Sequence, residues 1–185
     1  MTLRTNSANW ILILLACAIG CHTSAAKEGK SMPGTVGTKA PDVTLHLHDG
    51  STVKLSDFEG HQSVVLFFYP KDNTPVCTSE ACSFRDAYSD LTSLNAVIIG
   101  ISSDTQKSHK EFANKYTLPY LLASDPDGTL RKAFGVSRTL GILPGRATYV
   151  IDQNGVVQLA FSSQFSAAKH VAKARETLSN LNLSN

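Results

Sequence analysis

The sequence of 185 residues has little net charge, few cysteines and no long hydrophobic run. Lys and Arg number 17 against 15 Asp and Glu, which excludes nucleic-acid binding driven by bulk charge. The four cysteines are too few for a fold built on disulfides. The low net charge and the 42% of hydrophobic residues also exclude a disordered tail protein. One globular domain with a sizeable core is therefore expected.

The most apolar stretch lies close to the N-terminus and is short. Residues 10–20 read WILILLACAIG, eleven residues against the ~20 that a helix needs to span a bilayer. Arg4 is the only charged side chain before this stretch, and a basic, acid-free start followed by a short apolar run is typical of a signal peptide. A buried N-terminal helix is the alternative. We predict a signal peptide over 1–20, a flexible tether over 21–36 and a folded domain over 37–185.

Two cysteines follow small residues at the end of the apolar stretch. The strings LLAC, ending at Cys17, and AIGC, ending at Cys21, both resemble the lipobox of bacterial lipoproteins. The resemblance implies a diacylglycerol on Cys21, which stands where the sequence turns polar, and an anchor on the periplasmic side of a membrane. Secretion in soluble form is the alternative, and both interpretations place the protein outside the cytosol.

Strand and helix patterns alternate along the rest of the chain. The apolar run at 64–69, VVLFFY, predicts a strand buried on both faces. The predicted strands are 43–47, 52–55, 64–69, 96–102, 120–123, 147–151 and 156–161, and the helical segments are 75–94, 108–116, 130–134 and a C-terminal helix. This order predicts an α/β fold with a mixed central sheet flanked by helices and an N-terminal β-hairpin. It resembles the thioredoxin-like fold.

The segment 70–82, PKDNTPVCTSEAC, holds the candidate catalytic residues. It leaves the predicted buried strand and enters a helix, which is where open α/β sheets gather their active sites. Cys77 falls in the first helical turn, where unpaired N–H groups and the helix dipole favour a nucleophilic thiolate. Pro75 suits the first helical position, and Thr74 is placed to direct its hydroxyl at the group that the sulfur attacks.

A second cysteine, Cys82, follows Cys77 by five residues. On an ideal helix two such Cα atoms lie roughly 8–9 Å apart, whereas a disulfide needs ~4.4–6.8 Å. A disulfide between them therefore requires at least one turn of helix to unwind. A catalytic pair that forms and reopens suits this spacing better than a permanent structural bridge.

Two separated motifs resemble the peroxiredoxins. The pattern Pro70-x3-Thr74-x2-Cys77 is similar to the peroxiredoxin active-site motif, and CTSEAC is similar to the two-cysteine helix of the bacterioferritin-comigratory (peroxiredoxin Q) subfamily. Residues 144–152, PGRATYVID, resemble the strand that presents the family's active-site arginine, here Arg146. The sequence departs from the pattern at Val76, where many members have glycine.

The resemblance implies a thiol-dependent peroxidase of the atypical two-cysteine kind. Cys77 would attack the peroxide and become a sulfenic acid, and Cys82 would resolve it by forming an intramolecular disulfide. A thioredoxin-like reductant would then restore both thiols. No cofactor is implied, because the sulfur itself carries the redox change. The implied substrates are hydrogen peroxide and organic hydroperoxides, and the implied assembly is a monomer or weak dimer.

Four further residues receive roles from the resemblance. Thr74 and Arg146 would hydrogen-bond the peroxide, and Arg146 would also favour the ionised sulfur. Pro75 would shield the sulfur from water, and Glu80 would orient the arginine. The alternatives are that Thr74 only caps the helix, that Glu80 only complements the helix dipole, and that Arg146 is a solvated loop residue.

Other functions remain open at the level of sequence. Cys77 and Cys82 could form a plain structural disulfide in a secreted protein. A thiol–disulfide oxidoreductase of the thioredoxin type would have two residues between its cysteines, not four. A non-catalytic metal-binding protein of the same fold would need a Cys-x3-Cys pair and a well-placed histidine. The histidines with no ligand spacing, interpreted as surface or packing residues, are His46, His48, His61, His109 and His170.

Overall fold

The computed structural model of the protein describes residues 34–138 and 144–183. The predicted signal peptide, Cys17, Cys21 and all of the predicted tether before residue 34 lie outside this part of the chain. Among the helices in these two ranges, none is both long enough and apolar enough to cross a membrane.

A mixed five-stranded sheet forms the centre of the fold. The strands are β1 (Thr44–His46), β2 (Thr52–Lys54), β3 (Ser63–Phe68), β4 (Ala96–Ser102), β5 (Leu121–Ser124), β6 (Ala147–Ile151) and β7 (Val157–Ser162). The sheet has the order β5-β4-β3-β6-β7, in which β3, β4 and β5 run parallel and β6 is antiparallel to both of its neighbours. Strands β1 and β2 form the separate N-terminal hairpin.

Helices and the hairpin cover the two faces of this sheet. The helices are α1 (Pro75–Asp86), α2 (Tyr88–Ser93), α3 (Gln106–Tyr116), α4 (Thr129–Ala133) and α5 (Ala167–Leu183), with a 3-10 helix at Leu55–Phe58. Every residue of β3 is buried, and its alternate side chains enter two cores. Val65 and Phe67 pack with α1, α2, α3 and α5, whereas Leu66 and Phe68 pack with the hairpin, the 3-10 helix and α4. The predicted strand buried on both faces is confirmed.

The main difference from the sequence prediction lies in the segment 75–94. It forms two helices rather than one, because Ala87, with φ −92° and ψ 3°, ends α1 and precedes α2. The break allows α1 to pack on α5 while α2 packs on β4. The apolar spacing of Phe84, Tyr88 and Leu91 runs on across the break and gives no signal of it.

Smaller differences concern the bounds of elements. Helix α3 begins at Gln106, two residues before the predicted start, because the Thr105 side chain caps it by accepting a hydrogen bond from the Ser108 N–H. The 3-10 helix at Leu55–Phe58 had no counterpart among the predicted elements. Neither difference alters the route of the chain between the strands.

Candidate active site

Cys77 lies in the first turn of α1 and is almost fully buried, with 2% of its surface exposed. Pro75 begins the helix, as predicted, so the nitrogen that lacks a hydrogen is one that would have no helical partner. Thr74 precedes it at the N-cap position, but its side chain makes no capping hydrogen bond. The Thr74 hydroxyl instead donates to the Lys71 carbonyl oxygen at 3.0 Å.

Arg146 connects the two sequence motifs. It stands directly before β6, whose first residue, Ala147, pairs with Phe68 at the end of β3. The guanidinium therefore reaches the start of α1, where Nη2 donates to Cys77 Sγ at 3.1 Å and Nη1 donates to Glu80 Oε2. An arginine can serve both partners at once because its donors form a rigid planar fork.

Glu80 is fully buried on the inner face of α1. Burial raises the pKa of Glu80 from 4.5 to about 7, and the charge and hydrogen bond of Arg146 offset this only in part. The carboxyl accepts from Arg146 in either protonation state. It can therefore hold the guanidinium against the sulfur across neutral pH.

This raised pKa predicts a stability that depends on pH. Between pH 4.5 and about 7 the folded protein keeps a proton on Glu80 that the unfolded chain releases. The free energy of unfolding should therefore fall as pH rises through this window, by about 3 kcal/mol in total, and this group adds no slope above it. Urea unfolding of the wild type and of Glu80→Gln across the window measures the effect, and the variant should lack the slope.

Glu176 provides the matched control for this measurement. It is an exposed carboxylate of α5, 60% accessible and paired with Lys173 at 2.8 Å, so Glu176→Gln should retain the wild-type slope. A wild-type slope in Glu80→Gln would show that another group takes up the proton.

His170 of α5 lies behind Glu80 and is fully buried. Its Nε2 donates to the Ser163 carbonyl oxygen at 2.8 Å, and its Nδ1 lies 2.8 Å from the Thr148 hydroxyl and 3.6 Å from Glu80 Oε1. Burial lowers the pKa of His170, so the ring is neutral at pH 7 and Nδ1 accepts from Thr148. The interpretation as a packing residue missed these polar partners. The signal in the sequence was the spacing of four between His170 and Ala174, which places both residues on the buried face of the C-terminal helix.

A second arginine, Arg131 of α4, ties together the backbone around the site. It donates to the Gly145 carbonyl oxygen at 2.6 Å and to the Tyr69 carbonyl oxygen at 2.9 Å. These carbonyls belong to the residue before Arg146 and to the residue after β3. Arg131 could not be selected from the sequence, because its partners are backbone atoms of distant segments.

Cys82 lies on the same unbroken helix as Cys77, and both thiols are free. Between them, the Ala81 carbonyl oxygen accepts a hydrogen bond from the buried Tyr120 hydroxyl at 2.7 Å. Within residues 34–138 and 144–183, no three His, Cys, Asp or Glu side chains gather as metal ligands would. The groups assembled at Cys77 are thus a thiol, a fixed cation and a buried carboxyl.

Residues 36–160 match the model of the AhpC/TSA family. The chain belongs to the AhpC/TSA family. The AhpC/TSA protein is 47% identical over 148 residues to "Peroxiredoxin Q, chloroplastic" of Sedum lineare. The aligned residues cover 80% of this chain and 79% of the relative. It is 49% identical over 146 residues to the protein of the same name from Oryza sativa subsp. japonica, with 78% of this chain and 67% of the relative covered.

A solved structure gives the same result for the fold of this AhpC/TSA protein. Peroxidoxin BcpB from Mycobacterium tuberculosis superposes with a TM-score of 0.73 at 39% identity, over 79% of this chain and 97% of that one. The predicted thioredoxin-like fold and the peroxiredoxin Q resemblance are confirmed. The protein is a thiol-dependent peroxidase that uses a peroxide and a thioredoxin-like reductant.

The predicted localisation is wrong. The relatives from Sedum lineare and Oryza sativa are chloroplastic proteins, which contradicts an extracytoplasmic lipoprotein on the periplasmic side of a membrane. The prediction depended on the apolar stretch 10–20, on the small residues before Cys17 and Cys21, and on the lack of acidic residues before that stretch. Organelle transit peptides are equally poor in acidic residues, so this feature does not separate the two kinds of leader.

Proposed function

We propose that Cys77 is the peroxidatic cysteine of this AhpC/TSA peroxidase and that Cys82 resolves it. The observation that supports the proposal is the Arg146 guanidinium, which donates to Cys77 Sγ at 3.1 Å in a buried setting. A fixed cation at hydrogen-bond distance favours negative charge on the sulfur, and removal of water strengthens the interaction. The thiolate is the reactive form of the nucleophile.

The proposed reaction has three steps. The Cys77 sulfur attacks one peroxide oxygen, an S–O bond forms, the O–O bond breaks, and the other oxygen leaves and takes a proton to give water or an alcohol. Cys82 then attacks the sulfenic sulfur, an S–S bond forms, and hydroxide leaves as water after protonation. A thioredoxin-like dithiol reduces this disulfide by exchange and becomes a disulfide itself.

Four neighbours assist the first step in this proposal. Arg146 places donors where charge develops on the leaving oxygen, and Glu80 holds the guanidinium in place. The Thr74 hydroxyl donates its one hydrogen to the Lys71 carbonyl oxygen, so its lone pairs are free to accept from the O–H of a bound peroxide. Pro75, the first residue of α1, would shield the sulfur from water.

The second step needs a change in α1. Both cysteines lie on this helix, where residues five apart keep their Cα atoms roughly 8–9 Å apart, too far for a disulfide. We infer that the segment between them unwinds after Cys77 is oxidised. This motion breaks the hydrogen bond from Tyr120 to the Ala81 carbonyl oxygen.

The proposal is tested by one equivalent of hydrogen peroxide without reductant. The tryptic peptide 72–85 contains both cysteines, so its mass reports their state directly. In the wild type this peptide should lose about 2 Da as the disulfide forms. In Cys82→Ser it should gain about 16 Da as the sulfenic acid, or the mass of a dimedone adduct, since dimedone traps sulfenic acids. With excess peroxide and a thioredoxin-like reductant, turnover of Cys82→Ser should stop after one equivalent.

The opposite result would overturn the assignment of the two cysteines. Continued turnover of Cys82→Ser with a thioredoxin-like reductant at the wild-type rate would show that Cys82 does not resolve the intermediate. An unmodified peptide 72–85 in the wild type, with peroxide still consumed, would place the reactive sulfur elsewhere in the chain.

The domain layout and assembly also belong to the proposal. We propose one catalytic domain over 37–185 that acts as a monomer or weak dimer. The support for this assembly is the resemblance of the sequence to the peroxiredoxin Q subfamily. Sedimentation velocity of the full chain over a range of concentrations measures the assembly directly.

A further inference from the structure

Asp72 lies in the loop between β3 and α1, five residues before Cys77, and only 5% of its surface is exposed. Its carboxylate accepts hydrogen bonds from the Tyr69 hydroxyl at 2.8 Å and from the Ser108 hydroxyl at 2.8 Å, and contacts His109 Nδ1 at 2.9 Å. Its backbone N–H donates to Asp104 Oδ2 at 2.8 Å. The loop that enters the catalytic helix is therefore fixed through both the backbone and the side chain of one residue.

The His109 ring lies between two hydrogen-bond acceptors. The ring is fully buried, and it lies between the Asp72 carboxylate and the Ala123 carbonyl oxygen, which is 3.2 Å from Nε2. Both of these groups only accept hydrogen bonds, so each ring nitrogen faces an acceptor, the arrangement that a doubly protonated imidazole satisfies, and the Tyr69 hydroxyl that lies 3.3 Å from Nδ1 donates to Asp72. Asp72 and His109 form a buried pair at 2.9 Å, which is an ion pair when the ring is protonated.

The pKa shifts of Asp72 and Tyr69 agree with an ionised Asp72 carboxylate. Burial acts to raise the pKa of Asp72, but hydrogen bonds from His109, Tyr69 and Ser108 and the charge of His109 bring it below its ordinary value. Burial and the adjacent Asp72 charge hold the pKa of Tyr69 well above its ordinary value, so this hydroxyl remains a donor.

The next residue of the loop has a backbone conformation that needs support. Asn73 has φ +58°, in the left-handed region that non-glycine residues rarely adopt. Its side chain accepts a hydrogen bond from Lys115 Nζ at 3.1 Å. Ser108, His109 and Lys115 all belong to α3, so this helix holds the loop at two consecutive positions.

We infer that the Asp72–His109 ion pair positions Cys77 for reaction with peroxide. It fixes the loop 70–74 against α3, and the loop in turn sets where α1 begins and where the Cys77 sulfur meets Arg146. This role rests on the proposed function of Cys77. Neither residue touches the sulfur, so both are positioning residues. The pair also remains as an anchor at the N-terminal end of the segment that unwinds when the disulfide forms.

Stability alone does not account for an ion pair at this place. Burying two charges carries a desolvation penalty that an apolar pair of similar volume would avoid. The pair instead fixes the orientation of the loop, because the Asp72 carboxylate and both nitrogens of the His109 ring have defined hydrogen-bond partners. A defined loop conformation is what a reaction sensitive to displacements of about 1 Å requires.

The test measures the second-order rate constant for oxidation of Cys77 by hydrogen peroxide, by rapid quench and the mass of peptide 72–85. The variants are Asp72→Asn, His109→Gln and the double variant. Each single variant should lower the rate constant about ten-fold or more, and the double variant should fall no further, since the pair acts as a unit. Nitrogen-15 NMR of the wild type at neutral pH should show hydrogens on both His109 ring nitrogens.

Val157→Ala is the control for general destabilisation. Val157 is a fully buried residue of β7 in the core on the other face of the sheet, away from this loop. At a similar loss of melting temperature its rate constant should stay within about two-fold of the wild type. An equal loss in Val157→Ala and Asp72→Asn, or unchanged rates in both ion-pair variants, would overturn the inference.

Two further outcomes have separate meanings. A neutral His109 ring in the wild type would overturn the ion pair, even if the Asp72 and His109 variants do not fold. Failure of wild-type Cys77 to react with peroxide would instead overturn the proposed function, since the inference compares variants with a reactive wild type.

Discussion

Replacement of Cys77 by serine is expected to abolish peroxide consumption. In an assay with hydrogen peroxide, thioredoxin and thioredoxin reductase, the steady-state rate should fall by a factor of at least about 10³, to the level of uncatalysed thiol oxidation. The reason is chemical rather than structural. A serine hydroxyl at this buried position is a poor nucleophile, whereas in the proposed mechanism the Arg146 guanidinium, 3.1 Å from the Cys77 sulfur, favours its reactive anionic form.

Cys82→Ser is the matched control for this loss. It makes the same substitution on the same helix and should still consume one equivalent of peroxide. Unfolding of both variants with urea checks that neither loss arises from the fold. Wild-type turnover by Cys77→Ser, sustained by the three cysteines that remain, would contradict the assignment of the peroxidatic residue.

The sequence was sufficient to predict most of the sheet. The apolar runs of β3 and β4 identify strands that are buried on both faces, and Asp49-Gly50 and Asn154-Gly155 mark the two hairpin turns. The break at Ala87 could not be predicted, because it depends on how α1 and α2 pack on different neighbours. The spacing of apolar residues along the chain does not show which neighbouring element each helix packs on.

The candidate site could be predicted only in part. The meeting of Cys77 and Arg146 follows from the antiparallel pairing of β3 with β6, which brings the ends of two recognisable motifs together. His109 gave no such signal, since its partner Asp72 is 37 residues away and lies in a loop. A histidine is identified as part of a polar network only when the fold shows what each ring nitrogen contacts.

The second large effect is expected at Arg146. Arg146→Met should lower the rate constant for oxidation of Cys77 by a factor of about 10² to 10³, as for removal of a donor that stabilises developing charge. Arg146→Lys should recover only part of this rate, because one ammonium cannot copy the fork that serves Cys77 Sγ and Glu80 Oε2 together. Single-turnover quench with hydrogen peroxide measures all three proteins.

Two controls separate this effect from loss of the fold. Arg175→Met removes an arginine of α5 whose partner Asp90 lies 3.4 Å away at the surface, and it should leave the rate within about two-fold. Arg146→Met leaves Glu80 buried without its cation, so adding Glu80→Gln should restore stability but not the rate. If the double variant recovers both, Arg146 serves only to neutralise Glu80, and the sulfur owes its reactivity to the start of α1 alone.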